Sequence, residues 1–490
     1  MRITKQDLMP WEKTWFLYQS RYIGSYSLCV MMMVLLGYLF AHVDDGDGLL
    51  YLHMAKNMIQ SQNPWLLFWS LKEHQGFYDH LPCIVWPIAA WLMIGGTPFV
   101  FAMYTAMSWF TWFFLYRWLK HFISVSAIGY GIAIIAFTEN FIRVQSQPRI
   151  DPPFLLFFVL SLAVFRYNSL IYIVWSGLCA SVALVLRPPV ALSLLVLIPV
   201  LAVVQITYAK GNHYKLPKIR ISASKAAIFC VVFLVCCSIL PLFFYTSSLL
   251  LSDGSAWPMY LQKQVLASFL GLRSDGNSSH AAPVFSLIKH FWPGLPFLLV
   301  FLFAFFVKKK HREPIIIFLL IWIAIVFLGL SFGQRHLKHH LWVAYPPLAI
   351  LSGIGVLNLV QQWPWILTYS RIFKPIVLML SAMFAIIFPL YMTSSRCYVY
   401  QLKTIINNKT LCPKAVLINE QNHLNDWFLA WKIVDHLGLG FNFTSQVSDI
   451  TTEKSCNTLV VVPKINHKIP NTWNLILNTN SSSFYIMPKQ

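Results

Sequence analysis

The chain has 490 residues, of which 57% are hydrophobic and only 11% are charged, and its mean hydropathy is +0.61. Soluble domains carry about 25% charged residues, so this composition excludes a soluble enzyme, a disordered protein and a soluble repeat scaffold. Apolar stretches of about 20 residues recur along the chain, which predicts an all-α polytopic membrane protein. The formal charge of +20 is typical of nucleic-acid binding in a soluble protein. In a membrane protein, basic residues held on the cytoplasmic side explain it without nucleic acid.

The apolar stretches predict about eleven transmembrane helices after a polar N-terminal segment typical of an interfacial helix. The predicted spans are 24–43, 97–119, 122–141, 152–167, 170–186, 189–208, 226–248, 291–307, 314–331, 340–359 and 375–393. A long connection, 44–96, separates the first two. Its apolar run 82–94 indicates an interfacial or re-entrant helix, and Gly95-Gly96 predicts a turn before the next span.

Basic residues set the predicted orientation. With the N-terminus inside, about half of the 37 Lys and Arg residues fall in cytoplasmic segments, whereas most acidic residues fall outside. An odd number of spans then places the C-terminus outside. The predicted location is a bacterial inner membrane, with the C-terminus in the periplasm.

The chain divides into a predicted membrane domain, 1–393, and an extracytoplasmic tail, 394–490. In the tail, 414–419 and 458–463 have the composition of strands, and 423–437 has apolar residues at helical spacing. We therefore predict a small C-terminal α/β domain.

The first outer connection opens with three acids, Asp44, Asp45 and Asp47. Carboxylates close together repel each other, and partial burial raises the pKa of at least one, which yields a group basic enough to deprotonate a hydroxyl. Acids at the start of a helix are also common as N-terminal caps. Considered alone, the three acids favour the interpretation as caps of a helix N-terminus.

The wider pattern favours a catalytic loop. Asp47, Tyr51, Ala55 and Met58 have the spacing D-x3-Y-x3-A-x2-M, and the segment FYDHLPCIVW follows with His80. This loop resembles the first outer loop of the GT-C glycosyltransferases, in the branch of protein O-mannosyltransferases and lipid A aminoarabinose transferases. Gly48 stands where that branch has a Glu, and Asp44 and Asp45 are the alternatives for the second carboxylate. Leu81 stands where the branch has the first Pro.

Later outer loops resemble the same family in the same order. The matching segments are Gln147 to Asp151, Gly177 to Pro188 with Arg187 in place of Lys, His280 to Pro296, and Ser331 to Ala349 with Arg335 and Lys338. Each has a simpler interpretation: Arg149 and Arg187 as anchors at span ends, Asp151 as a helix cap, His280 as a surface histidine, and Arg335 and Lys338 as an interfacial patch.

The resemblance implies a polyprenyl-phosphate-linked sugar donor and a glycolipid or protein acceptor within the membrane lipid environment. It assigns Asp47 as the catalytic base. Asp151 would orient an arginine or the acceptor. The donor phosphate would be bound by Arg187, Arg335 and Lys338, with Arg149 and His80 in support, and Asp44, Asp45, Tyr51 and His280 would support the site. A divalent cation bridging Asp47, Asp151 and phosphate stays open.

Two other classes also fit parts of the pattern. A transporter or flippase of a lipid-linked or anionic substrate would also place charges near span ends. A lipid-linked glycan polymerase or ligase would share the topology and the basic outer loops. The chain shows neither a Rossmann fingerprint nor a P-loop, which agrees with a donor that is not a nucleotide.

Overall fold

The computed structural model describes residues 10–41, 46–65, 81–166, 169–210, 223–251, 282–332 and 338–362, short parts of 379–387, and five strands between 414 and 487. The chain forms two compact units. The helical unit comprises Met1–Tyr38, Met103–Ser146 and Ile150–Ile386. The mixed unit comprises Leu39–Ala102, Gln147–Arg149 and Ile387–Gln490.

Helices make up most of the described chain. In order they are α1 (Pro10–Ala41), α2 (Gly46–Ser61), α3 (Trp86–Leu119), α4 (Val125–Ala136), α5 (Glu139–Gln145), α6 (Asp151–Val164), α7 (Leu170–Leu186), α8 (Pro188–Ala191), α9 (Leu194–Lys210), α10 (Ala223–Leu251), α11 (Ala282–His290), α12 (Leu295–Phe306), α13 (Pro314–Phe332) and α14 (Tyr345–Gln362). Short 3-10 helices cover Pro82–Ile84 and Lys338–Ala344.

Within the described residues, four helical stretches are long and apolar enough to cross a membrane: Pro82–Leu119, Pro188–Thr207, Ile228–Ser247 and Leu341–Gln362. A bent pair of helices, Val284–His290 and Leu295–Phe306, would make a fifth, with an angle of 120° between its halves. Further apolar helices are shorter. The chain is therefore an integral membrane protein, whereas the number of about eleven spans remains a prediction.

One predicted span differs from the helices of the structure, and one predicted turn agrees with them. The segment 122–141 is not one helix, because α4 ends at Ala136 and α5 begins at Glu139. The hydroxyl of Thr138 donates to the carbonyl of Ile134, and such back-bonding competes with the helical hydrogen bonds. The predicted turn is confirmed at Gly96, which has φ 69° and kinks α3 where a residue with a Cβ would be strained.

The helical unit has its tightest packing around α14. This helix packs against α4, α12 and α13, and most of its residues are buried. A Cβ added at Gly353 would clash with the main-chain carbonyl of Ala127 in α4. Glycine at this position therefore lets the two backbones approach closely, as small residues do between membrane helices.

The mixed unit contains a five-stranded sheet in the order β2-β1-β3-β5-β4. The strands are β1 (Lys414–Ile418), β2 (Gly440–Thr444), β3 (Thr458–Pro463), β4 (Asn474–Asn478) and β5 (Ser482–Met487). Strand β1 is parallel to β2 and β3, and β5 is antiparallel to β3 and β4. The predicted helix 423–437 lies outside the described residues, so a separate α/β domain stays a prediction. Helix α2 contacts β2 within this unit.

Candidate active site

A buried ion pair joins Asp151 to Arg187 in the helical unit. Nη2 of Arg187 lies 2.7 Å from Oδ1 of Asp151, and the two side chains are only 14% and 5% exposed. Asp151 is the first residue of α6, and Arg187 follows the last residue of α7. Negative charge at a helix N-terminus and positive charge at a C-terminus both compensate the helix dipoles, so each residue suits its position.

The local fold explains why residues so far apart in sequence meet. Helices α6 and α7 pack against each other and are joined by a short connection, which makes them an antiparallel hairpin. Near the closed end of this hairpin, the hydroxyl of Ser176 donates to the carbonyl of Ser161 at 2.7 Å. About ten residues, or about 15 Å of helix, separate each serine from its charged partner at the open end. The register fixed by the serines therefore places Asp151 opposite Arg187.

A second group of buried polar residues lies in the mixed unit. Arg149 is 5% exposed and Gln147 is fully buried. The main-chain N–H of Arg149 donates to the carbonyl of Gln147 at 2.7 Å, which closes a tight turn. A Cβ added at Gly48 would lie 3.4 Å from Cδ of Pro148. The first turn of α2, which contains Asp47, therefore packs against the Gln147–Pro148 segment.

Helix α2 carries buried polar residues beyond those that the sequence singled out. Tyr51 is 5% exposed, and its supporting role stays a prediction. His53 and Asn57 are also buried, and Nε2 of His53 lies 3.2 Å from Nδ2 of Asn57. Sequence reasoning passed over this pair, although its spacing of one helical turn was the signal that could have found it.

The remaining predicted site residues are described only in part. Asp44, Asp45, His80, His280 and Arg335 lie outside the described residues. The backbones of Asp47 and Lys338 are described, in α2 and in the 3-10 helix Lys338–Ala344, but their side chains are not. Of the predicted set, the structure thus brings Asp151 and Arg187 into direct contact and shows Arg149 and Tyr51 as buried.

The described residues do not test a divalent cation at this position. Oδ1 of Asp151 is paired with the Arg187 guanidinium, and the side chain of Asp47 lies outside the described residues. The described part of the chain contains no group of three or more His, Cys, Asp or Glu side chains that could hold a metal ion. A metal ion that bridges Asp47 and Asp151 therefore stays a prediction.

The chain has the fold of the GT-C membrane glycosyltransferases. This class agrees with the helical unit, with the helix in the long first connection and with the buried charges at helix ends. The specific likeness is to ArnT of Cupriavidus metallidurans. The structure of ArnT bound to undecaprenyl phosphate matches with a TM-score of 0.64 and 11% identity, over 94% of this chain and 97% of that one. The apo structure of ArnT matches with a TM-score of 0.60 and 12% identity, over 93% and 97%. No protein family and no curated protein sequence matches the chain.

Proposed function

We propose that the chain is an integral-membrane glycosyltransferase that moves a sugar from a polyprenyl-phosphate donor to an acceptor hydroxyl or phosphate on the outer (periplasmic or lumenal) face of the membrane. The ArnT structure that shares its fold over nearly the whole of both chains contains undecaprenyl phosphate, which supports this donor class. A lipid-linked donor reaches its enzyme through the bilayer, which is consistent with a largely membrane-embedded chain.

The observation that carries the proposal is the buried pair of Asp151 and Arg187. Taking two charges out of water costs several kcal/mol per ion before their attraction is counted. Charged residues near membrane depth are rare, and they mark substrate or ion sites more often than structural ones. A guanidinium held in one orientation is suited to a phosphate, because its fork of five N–H donors matches phosphate oxygens in pairs.

In the proposed reaction, Asp47 removes the proton of the acceptor hydroxyl as its oxygen attacks the anomeric carbon of the donor sugar. The bond from that carbon to the phosphate oxygen breaks, and the bonding electrons leave with the polyprenyl phosphate. One displacement inverts the anomeric configuration. The leaving phosphate is already a weak base, so the reaction needs no general acid, unlike the paired carboxylates of glycosidases.

Catalysis then depends on stabilising the charge that grows on the leaving phosphate. Arg187 is assigned this role, with Arg335, Lys338, Arg149 and His80 in support, because preorganised cations act strongly where water is excluded. Asp151 is a positioning residue: it binds one edge of the Arg187 guanidinium and leaves other N–H groups for the phosphate.

The test uses the purified full chain reconstituted with a polyprenyl-phosphate sugar and a set of glycolipid and protein acceptors. We expect wild type to release polyprenyl phosphate and Asp47→Asn to lose this release. The matched control is Glu313→Gln, the same chemical change at an exposed acid in the loop between α12 and α13. Full activity of Asp47→Asn would remove Asp47 as the base, and movement of the lipid-linked sugar without its cleavage would support a transporter instead.

A further inference from the structure

An apolar groove runs between α9 and α10, and its lining includes none of the residues assigned to catalysis. Its lining extends along α9 from Leu195 to Ile206 and along the first turns of α10, and Phe165 lines it at the end of α6. Both long helices include candidate membrane spans. The stretch from Leu195 to Ile206 is about 17 Å long at 1.5 Å per residue. This length is about half of a hydrocarbon core of roughly 30 Å, or one leaflet.

One end of the groove adjoins a cluster of basic residues. Phe165 is followed directly by Arg166, and the side-chain amide of Gln205 in α9 donates to the carbonyl of Phe165 at 3.0 Å. This bond places the Ile206 end of the groove beside Arg166. Nη1 of Arg166 donates to the carbonyls of Ala163 and Phe165, at 3.1 and 3.0 Å, so the guanidinium is held over the end of α6.

Three more ionisable side chains complete what we call the Arg166 cluster: Arg117, Lys120 and His121. Burial lowers the pKa of His121, and the charges of Lys120, Arg166 and Arg117 lower it further, so each of these three cations lies within electrostatic reach of His121. Arg117 lies in the last turn of α3, Lys120 and His121 follow that helix, and Arg166 follows α6. The positive-inside pattern assigns both of these helix ends to the cytoplasm.

We infer that the groove and the Arg166 cluster together form a binding site for one anionic phospholipid of the cytoplasmic leaflet. An acyl chain would occupy the groove, and the negatively charged phosphate of the headgroup would meet Arg166, Lys120 and Arg117. Charge complementarity selects this occupant: an apolar groove of one leaflet's depth adjoins a cluster of basic residues at the ends of membrane helices, and such basic clusters bind anionic lipid headgroups. The site is independent of the proposed transferase activity.

The experiment measures lipids retained by the purified full chain. The detergent-solubilised protein is incubated with equimolar palmitoyl-oleoyl phosphatidylglycerol and phosphatidylethanolamine, and bound lipid is counted by native mass spectrometry. We expect wild type to retain one phosphatidylglycerol in preference to phosphatidylethanolamine. Arg166→Gln should lower the affinity for phosphatidylglycerol by roughly tenfold, as expected for the loss of one hydrogen bond between charged groups.

Matched variants separate the site from general charge and from folding. Lys309→Gln removes a basic residue of an exposed loop that contributes no side chain to the groove, and it should leave retention unchanged. Ala202→Trp fills the groove, whereas Val203→Trp adds the same bulk at a neighbouring position that is 62% exposed. Only the first should abolish retention. If Arg166→Gln fails to fold, Lys120→Gln provides the same comparison at a second basic residue of the Arg166 cluster.

Equal retention of the two lipids by wild type would overturn the inference, and so would an equal loss in Arg166→Gln and Lys309→Gln. Displacement of phosphatidylglycerol by an equimolar amount of polyprenyl phosphate would also overturn it, because the groove would then belong to the donor lipid.

Discussion

Removal of one partner of the Asp151–Arg187 pair should destabilise the protein more than removal of both. At 2.7 Å the two charges attract by about 6 kcal/mol at an effective dielectric constant of about 20, and desolvation offsets a large part of this. Breaking such a pair leaves a buried charge uncompensated, which costs about 3–5 kcal/mol. We therefore expect Asp151→Asn and Arg187→Gln each to lower the free energy of unfolding by about 3 kcal/mol.

The double variant Asp151→Asn with Arg187→Gln should regain most of the lost stability, because its two neutral amides can hydrogen-bond to each other. The difference between the double variant and the sum of the single ones measures the coupling. Unfolding is followed by tryptophan fluorescence in detergent, under one set of lipid and salt conditions. If the losses of the single variants simply add in the double variant, the two side chains are not coupled and the reasoning is wrong.

The same variants separate stability from catalysis. We expect Arg187→Gln to reduce turnover by about 10²–10³, the usual cost of one lost group that stabilises developing negative charge. The double variant should remain inactive although its stability recovers. Arg187→Lys should restore part of the activity, since it keeps the charge but loses the bidentate fork. A double variant with wild-type turnover would show that the pair is purely structural.

Other substitutions test the packing and the loops. Gly353→Ala should lower the thermal midpoint, because its Cβ meets the Ala127 carbonyl, whereas Gly329→Ala, with nothing within 4 Å, should leave it unchanged or raise it. Gly48→Leu should push the first turn of α2 away from Pro148; we expect reduced turnover with a nearly unchanged midpoint, and wild-type turnover would argue against a role for this contact. The lowered pKa of His121 means that the unfolded chain binds a proton more readily. Its contribution to stability should be present above about pH 6.5 and be lost as the pH falls through the lowered pKa. His121→Gln should make the thermal midpoint of unfolding less dependent on pH between pH 7 and pH 5. An unchanged dependence on pH would contradict the assignment of this effect to His121.

The sequence was sufficient to predict the class of fold and several elements of it. Apolar length predicted an integral membrane protein, and Gly96 marked a turn that the structure confirms. The sequence also placed Asp151 and Arg187 among the candidate site residues. The break after Ala136 was missed because the apolar residues on both sides outweigh the short polar run Thr138-Glu139-Asn140 at the break. The competing hydrogen bond of Thr138 has no signature in hydropathy.

Contacts between helices were beyond prediction for a different reason. The meeting of Asp151 with Arg187 depends on the register of two antiparallel helices, and many registers bury equal apolar area. The bonds between Ser161 and Ser176 select one of them. Likewise, the close approach at Gly353 depends on which face of α14 meets α4, and a helix that is apolar on all sides does not reveal this.

The serine contact in the α6–α7 hairpin has a consequence for how the chain tolerates changes in length. The helical stretch from Ser176 to Arg187 fixes the position of the guanidinium relative to the serine contact. One inserted residue would move the guanidinium by about 1.5 Å along the helix axis and rotate it by about 100° around that axis. Residues inserted after Arg166 would leave the helical lengths Asp151–Ser161 and Ser176–Arg187 unchanged. Insertions there should therefore preserve the ion pair, whereas insertions between the serines and the open end should abolish it.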